Sequence, residues 1–147
     1  MLHRHVHFGD RTRQAALFET MILVAGADGK VTRDEVEEIY RRVFERPEFE
    51  GIHAKDLKDA IAHAAQQVAK AKDMQHILPS LAERLPDEAS RKLAFGLAAS
   101  VAMADGNTHP TELAVLKALQ GVFQIADQDV VRLFEAAESH SPLPIGG

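Results

Sequence analysis

The feature that most constrains this chain is a motif that occurs twice. Residues 24–35 read VAGADGKVTRDE and residues 101–112 read VAMADGNTHPTE, at an offset of 77 residues. The same offset aligns Phe18 with Phe95. A repeat at one fixed offset is typical of a duplicated structural unit, so we expect the two halves of the chain to fold alike.

Composition favours a core of closely packed helices. The 147 residues suffice for one domain that buries a core without disulfides or a structural metal. Because cysteine is absent, disulfides, thiolate metal sites and a cysteine nucleophile are excluded. Tryptophan is absent and tyrosine occurs once, so small aliphatic side chains must fill most of the core.

Two of the predicted helices are central. The first runs from its N-cap Asp10 to about Gly26 and is apolar on nearly all sides, and the second covers 87–104. The remaining segments follow the apolar spacing of amphipathic helices, and none alternates convincingly with period two. Of these five helices, one begins after Thr32, one covers 54–71, and one covers 74–85 with an interruption or bend at Pro79. The last two begin at His109-Pro110 and at the cap Asp127-Gln128-Asp129. The sequence therefore predicts an all-α, single-domain bundle of about seven helices built from two pseudo-repeated halves.

The expected domain boundaries follow from these elements. Residues 1–9 should form a flexible histidine-containing N-terminus, 10–138 the helical domain with halves of about 10–72 and 73–138, and 139–147 a flexible tail. The first ten residues lack the apolar core of a signal peptide, and the longest apolar run is far too short to span a bilayer. We therefore expect a cytoplasmic protein without direct membrane insertion.

The charge distribution argues against one class of partner. The first 72 residues carry 12 acidic and 12 basic side chains, whereas the remaining residues carry 10 acidic and 5 basic. Nucleic acid requires a clustered basic surface that replaces phosphate counterions, and the acidic second half argues against it. Cations or basic partners suit this balance better.

The repeated motif partly matches a calcium-binding loop. With Asp28 at loop position 5, Gly29 takes the glycine position and Glu35 the bidentate position 12. The front of the loop does not match, because positions 1 and 3 fall on Val24 and Gly26, where an EF-hand has carboxylates. The second copy repeats this pattern with Asp105, Gly106 and Glu112. A self-sufficient EF-hand is therefore not expected.

Helix capping is the alternative explanation of the motif. Thr32 and Glu35 have the spacing of a capping box, in which each side chain bonds to the backbone of the other. His109 and Glu112 have the same spacing in the second copy. Asp28 and Asp105, however, are predicted to lie in the last turn of a helix, where the macrodipole favours cations. A shared acidic site between facing turns would account for both aspartates, and so would hydrogen bonds to the neighbouring turn.

The helix, Ala-Asp-Gly turn, cap and following helix, all occurring twice, resemble the TerB family of tellurite-resistance proteins over about residues 12–137. The resemblance is strongest at 23–32 and 101–107. It implies an all-helical domain of two related halves and a cytoplasmic, stress-linked role. It also implies that the acidic residues of the two turns bind a divalent cation. A further implication is a role as an adaptor beside other domains.

The resemblance also indicates candidate ligands. By position they are Asp28, Glu35, Asp105 and Glu112. Oxygen ligands suit Ca²⁺ or Mg²⁺ better than Zn²⁺. Asp34 is a doubtful addition, because its counterpart is Thr111. His109 stands where family members tend to carry a small hydroxyl cap, so it either weakens that cap or places an imidazole beside Asp105.

A second group of candidate ligands lies at the N-terminus. His3, His5 and His7 alternate, so an extended segment would carry three imidazoles on one side, a pattern suited to zinc or nickel. The alternative is an N-terminus whose histidines merely titrate.

Catalytic motifs are absent from the sequence: it has no nucleophile elbow, no metalloprotease motif, no phosphate loop and no dinucleotide fingerprint. The sequence therefore predicts a non-enzymatic, tellurite-resistance or stress-response type of helical module that binds a divalent cation at the two turns. The alternative is a helical protein-interaction adaptor or scaffold whose motif is purely structural. An unidentified protein partner and a homo-oligomer are both compatible with either prediction.

Overall fold

A computed structural model of the chain describes residues 8–27, 31–44, 46–71, 73–103 and 109–139. These residues contain helices and turns and no strand, as predicted for an all-α protein. The helices are α1 (Arg11–Ala25), α2 (Arg33–Val43), α3 (Ala54–Lys70), α4 (Met74–Arg84), α5 (Glu88–Ala102), α6 (Pro110–Phe123) and α7 (Asp127–Ser139), with a 3₁₀ turn at Pro47–Phe49.

Helices α1 and α5 form the centre of the bundle. Every residue of α1 from Ala16 to Ala25 is buried, because α1 packs against α5 on one side and against α3 and α4 on others. Helix α5 packs in turn against α7 and α6. The aromatic residues at the offset of the repeat, Phe18 and Phe95, are both buried in this centre.

The repeat offset holds in the structure. Helices α1 and α5 have 15 residues each, and their N-caps are Asp10 and Asp87. Their C-caps, Gly26 and Met103, adopt nearly the same backbone conformation, with φ of −97° and −98°. Because this φ is ordinary for any residue, the backbone at position 26 does not require a glycine.

A further pair of matched residues lies before the central helices. Phe8 and Leu85 are each two positions before the capping aspartate, and both are fully buried. The Gln14 side chain donates to the Phe8 carbonyl over 2.8 Å, and Arg91 Nε, at the same offset, donates to the Leu85 carbonyl over 2.6 Å. The segment 1–9, expected to be flexible, thus contributes Phe8 to the core, whereas residues 1–7 lie outside the described part.

Two local predictions differ from the structure. The interruption predicted at Pro79 is absent, because α4 runs continuously from Met74 to Arg84, while the alternative of a bend there stays a prediction. The missing N–H of Pro79 would have bonded to the carbonyl of Gln75, an exposed residue of the first turn that water can reach. Asp127 is the first residue of α7 rather than its cap, and its carboxylate accepts a 2.7 Å bond from the Gln120 side chain instead.

Helix α4 is tied to α1 by a buried ion pair. Arg84 donates two hydrogen bonds to Glu19, of 2.8 and 2.7 Å, and the Glu19 side chain is only 7% exposed. These bonds raise the pKa of Arg84 above its ordinary value. The counterpart of Glu19 in α5 is Gly96, so this connection exists in one half of the bundle only.

Among the described residues, no helix has the length and apolar character needed to cross a bilayer.

Candidate functional site

The two Ala-Asp-Gly segments that the sequence predicts to be turns, Ala27-Asp28-Gly29 and Ala104-Asp105-Gly106, follow α1 and α5 along the chain. Helix α1 ends at Ala25 and α5 at Ala102, so each aspartate comes three residues after its helix. Asp28 and Asp105 themselves lie outside the described residues. The preceding residues are described as far as Ala27 and Met103. The N–H groups of Gly26 and Met103 bond to the carbonyls of Ile22 over 2.8 Å and Ala99 over 3.0 Å.

The opposite ends of the same two helices are in contact. In the first turn of α1, Arg13 forms a 3.2 Å ion pair with Asp87, the N-cap of α5. Burial raises the pKa of Asp87, but hydrogen bonds from Ser90 and the charge of Arg13 outweigh it and leave the pKa below its ordinary value. The ion pair therefore brings the N-terminal ends of the two central helices together.

Glu35, the predicted ligand of the first copy, closes a capping box. Its carboxylate accepts a 2.8 Å bond from the Thr32 N–H, and its own N–H donates to the Thr32 hydroxyl over 3.2 Å. Both bonds satisfy donors that would otherwise lack partners at the start of α2. The neighbouring Asp34 is exposed in the same turn.

Glu112, the predicted ligand of the second copy, takes the matching position in α6. Its carboxylate accepts a 2.9 Å bond from the backbone N–H of His109, the N-cap of that helix. Pro110 at the first helical position has no N–H, so one donor fewer needs a partner there. The capping prediction is thus confirmed for the carboxylate of each copy.

These capping bonds leave coordination capacity on both glutamates. A carboxylate has two oxygens and about four acceptor sites, of which each described bond uses one. Within the described ranges, no group of three or more histidine, aspartate or glutamate side chains is placed to hold a metal ion. A cation site at the turns therefore depends on Asp28 and Asp105, which lie outside those ranges.

Some structurally important residues were not predicted from the sequence. Arg91 joins three helices, because beside its bond to Leu85 it donates to the carbonyls of Ala82 over 2.9 Å and Phe123 over 3.4 Å. Its alignment with Gln14 at the repeat offset was a usable signal. The Glu19–Arg84 pair spans 65 positions and has no counterpart in the other half, so no sequence pattern pointed to it.

Comparison with known families decides the classification. The family model described as "Tellurite resistance protein TerB" matches residues 12–135. The chain belongs to the TerB family. The match covers both motif copies and every helix except the first residue of α1 and the end of α7. Neither a curated protein nor a solved structure matches this TerB chain significantly.

Proposed function

We propose that this TerB protein is a non-enzymatic, cytoplasmic helical module of the tellurite-resistance or stress-response type that binds a divalent cation at its two Ala-Asp-Gly turns. The observation that carries the proposal is the shared register of the turns. Because α1 and α5 end at matched residues, Asp28 and Asp105 occupy equivalent positions after two helices that pack against each other. Their oxygen chemistry suits Ca²⁺ or Mg²⁺.

Helix electrostatics support a cation at this place. A carboxylate within the last turn of a helix is opposed by the negative end of the macrodipole, by about 0.3–1 kcal/mol. Asp28 and Asp105 each follow a helix end by three residues in the sequence. A bound cation would offset the repulsion at both turns and use the negative ends of both helices.

The two glutamates fit a supporting role in such a site. Glu35 and Glu112 are held at the first turns of α2 and α6 by their capping bonds. Each has acceptor sites left over, so each can supply an oxygen ligand without giving up its cap.

The second candidate is a protein-interaction adaptor whose motif is only structural. The observation in its favour is that the capping bonds already give Glu35 and Glu112 a role without metal. Among the described residues, the large exposed apolar side chains are Phe44, Leu113 and Val131, which could contact a protein partner or a second copy.

A thermal melt of the metal-stripped full-length chain tests the proposal. Calcium or magnesium at a hundredfold excess over Kd should stabilise the native state by about 2.7 kcal/mol. For a chain of this size that corresponds to a rise in Tm of roughly 5–10 °C. If none of calcium, magnesium and manganese changes the Tm at millimolar concentration, the cation proposal is wrong and the adaptor is favoured.

Three variants assign the effect to the turns. Asp28→Asn with Asp105→Asn should abolish the shift. Glu35→Gln with Glu112→Gln should reduce it while keeping the caps, because glutamine also serves at that capping position. The matched control, Asp59→Asn with Glu83→Gln, removes two exposed carboxylates elsewhere and should leave the shift unchanged.

A further inference from the structure

Helix α6 lies at the periphery of the bundle, yet its exposed surface is almost uncharged. Only Lys117 carries a charge among its exposed residues, which are Pro110, Thr111, Leu113, Ala114, Lys117 and Gly121. In α2, the counterpart of α6 at the repeat offset, every exposed side chain is charged: Arg33, Asp34 and Arg41. A helix that is apolar on nearly all sides normally lies inside a protein, so the exposed side of α6 has the character of a contact surface.

Four of these residues form what we call the outer face of α6: Leu113, Ala114, Lys117 and Gly121. Their spacing of three and four positions places them on one side of the helix. The Leu113 side chain is 44% exposed, and a Cβ atom added at Gly121 would meet nothing within 4 Å. The face therefore combines a protruding apolar side chain and one cation with an open position where another backbone can approach closely.

The first half of the chain shows what covers the equivalent face. At the repeat offset Leu113 and Lys117 correspond to Val36 and Tyr40 of α2, which are both half-buried. Helix α2 packs against α3, and the Lys58 ammonium of α3 lies 4.8 Å from the centre of the Tyr40 ring. Within the described part of the second half, no comparable packing joins α6 to α7. One side of α6 therefore lacks the neighbouring helix that its counterpart has.

Lys117 determines the charge that a partner must carry. It forms no ion pair with another described residue. It stands midway between Leu113 and Gly121, so a partner that covers both also covers the ammonium group, which is costly without a counter-charge. A carboxylate at this point offsets that cost. A second copy paired about a twofold axis at the middle of the face would instead oppose two lysines.

We propose that the outer face of α6 binds an amphipathic α-helix of another protein, which places apolar side chains over Leu113 and Gly121 and an acidic side chain at Lys117. Helices commonly bind through such an apolar stripe. The last residues of the chain, HSPLPIGG, do not match this occupant, because they contain prolines and no acidic side chain. The inference rests on the adaptor candidate and is independent of the cation proposed at the two turns.

Fluorescence anisotropy with two synthetic helices tests the proposal. Each probe is about 18 residues long, enough to span α6, and has a leucine and alanine stripe on a glutamine surface that carries a staple to keep it helical. One probe has glutamate and the other lysine at the middle of the stripe. With the full-length chain in EDTA, the glutamate probe should bind about fivefold more tightly. No binding of the glutamate probe, or equal affinity of both probes, would overturn the proposal.

The use of EDTA separates this result from the cation proposal, because the probes are measured without divalent ions. A failure here leaves the metal-dependent melt unaffected, and a failure of the melt leaves the probe affinities unaffected.

Charge reversal locates the acidic contact. Lys117→Glu should exchange the preference, so that the lysine probe binds about fivefold more tightly than the glutamate probe. An exchange of this kind requires the two charges to meet, whatever the general affinity of the probes. If Lys117→Glu keeps the preference of the parent chain, the carboxylate does not lie at Lys117 and the proposal is wrong.

Two variants of equally exposed residues locate the apolar contact. Leu113→Gln should weaken the binding of both probes by at least about fivefold. Phe44→Ala removes a side chain that is also 44% exposed, on the other half of the bundle, and should leave both affinities unchanged. Full affinity in Leu113→Gln, or a loss in Phe44→Ala, would assign the binding to a different surface.

The two alternative occupants give different results. Sedimentation velocity should show no self-association that depends on Leu113, and a dimer that Leu113→Gln abolishes would assign the face to a second copy. Leu143→Ser with Ile145→Ser removes the large apolar side chains of the last residues and should leave the affinity for the glutamate probe unchanged. Tighter binding in this variant would mean that the chain covers the face itself, and would overturn the proposal.

Discussion

Glu19 is an acidic residue in the most buried helix of the protein. Its carboxylate is satisfied by the two bonds from Arg84, which in turn donates to the Ser80 hydroxyl over 3.1 Å. A buried ion pair costs desolvation on both sides, so its net contribution to stability is small even though loss of one partner is costly. At the residue scale the pair connects α4 to α1.

The pair predicts an asymmetric response to substitution. Arg84→Ala should lower the free energy of unfolding by about 3–5 kcal/mol, because it leaves a buried carboxylate without its partner. Replacing both residues, Glu19→Met with Arg84→Met, should recover most of that loss. Urea denaturation measures both variants. Glu88→Ala removes an exposed carboxylate from its 2.7 Å ion pair with Lys92, which keeps Asp129 as a partner at 3.4 Å, and should cost no more than about 1 kcal/mol. If the double variant were as unstable as Arg84→Ala, the desolvation argument would be wrong.

The bonding of Asp87 predicts that this residue contributes to the loss of fold stability at acid pH. Its folded pKa lies below the ordinary value of 3.8, so it stabilises the fold above that pH and loses the contribution as pH falls through the folded pKa. Asp87→Asn should therefore flatten the loss of stability below about pH 4, since asparagine still caps a helix. Urea denaturation from about pH 6 to pH 3 measures the change. Asp59→Asn should lose stability at acid pH as the parent does, because it leaves the Asp87 cap intact. If Asp87→Asn also loses stability as the parent does, Asp87 is not a source of the acid sensitivity.

At the scale of elements, most helix starts were predictable, with α7 as an exception, and helix attachments were not. Asp10, Thr32 and Asp87 act through partners two or three positions away, which a sequence pattern displays directly. The contacts of Arg91 and Arg84 reach 32 and 65 positions along the chain. Such contacts depend on how whole helices pack, and no local preference encodes them.

Arg91 predicts the stability of one particular helix attachment. Its three bonds end at carbonyls of the C-terminal parts of α4 and α6, where a cation is favoured by the helix dipole. Arg91→Ala should destabilise the fold by roughly 2–3 kcal/mol, as expected for lost hydrogen bonds to a charged group. Relative to the parent protein, Arg91→Ala should accelerate amide hydrogen exchange more in α4 than in α3. Equal acceleration in both helices would indicate a global rather than a local effect.

At the scale of the whole molecule, the duplication explains both what the sequence predicted and what it missed. The offset that relates Phe18 to Phe95 also relates the caps and ends of the central helices, so a symmetric framework follows from the sequence. Helix α4 and its ion pair break that symmetry, since Glu19 has Gly96 as its counterpart. At the candidate site, the glutamate caps were predictable, whereas a cation remains a prediction because Asp28 and Asp105 lie outside the described ranges.

The shared core predicts that neither half folds alone. Chains covering 8–72 and 73–139 each contain only one of the two central helices, so each would expose the surface that α1 and α5 bury together. Circular dichroism should show little cooperative unfolding in either half and a cooperative transition in the intact chain. A cooperative transition in an isolated half would show that it has a core of its own.

The central pairing of α1 with α5 also has a consequence during synthesis. A ribosome completes α1 long before it completes α5, and at roughly 5–20 residues per second the interval lasts several seconds. During that interval α1 can pack on α3 but not on its principal neighbour. A nascent chain that exposes an apolar helix without its partner is prone to aggregate and is a substrate for chaperones. A protein whose two halves share one core therefore depends on protection from aggregation until its second half is synthesised.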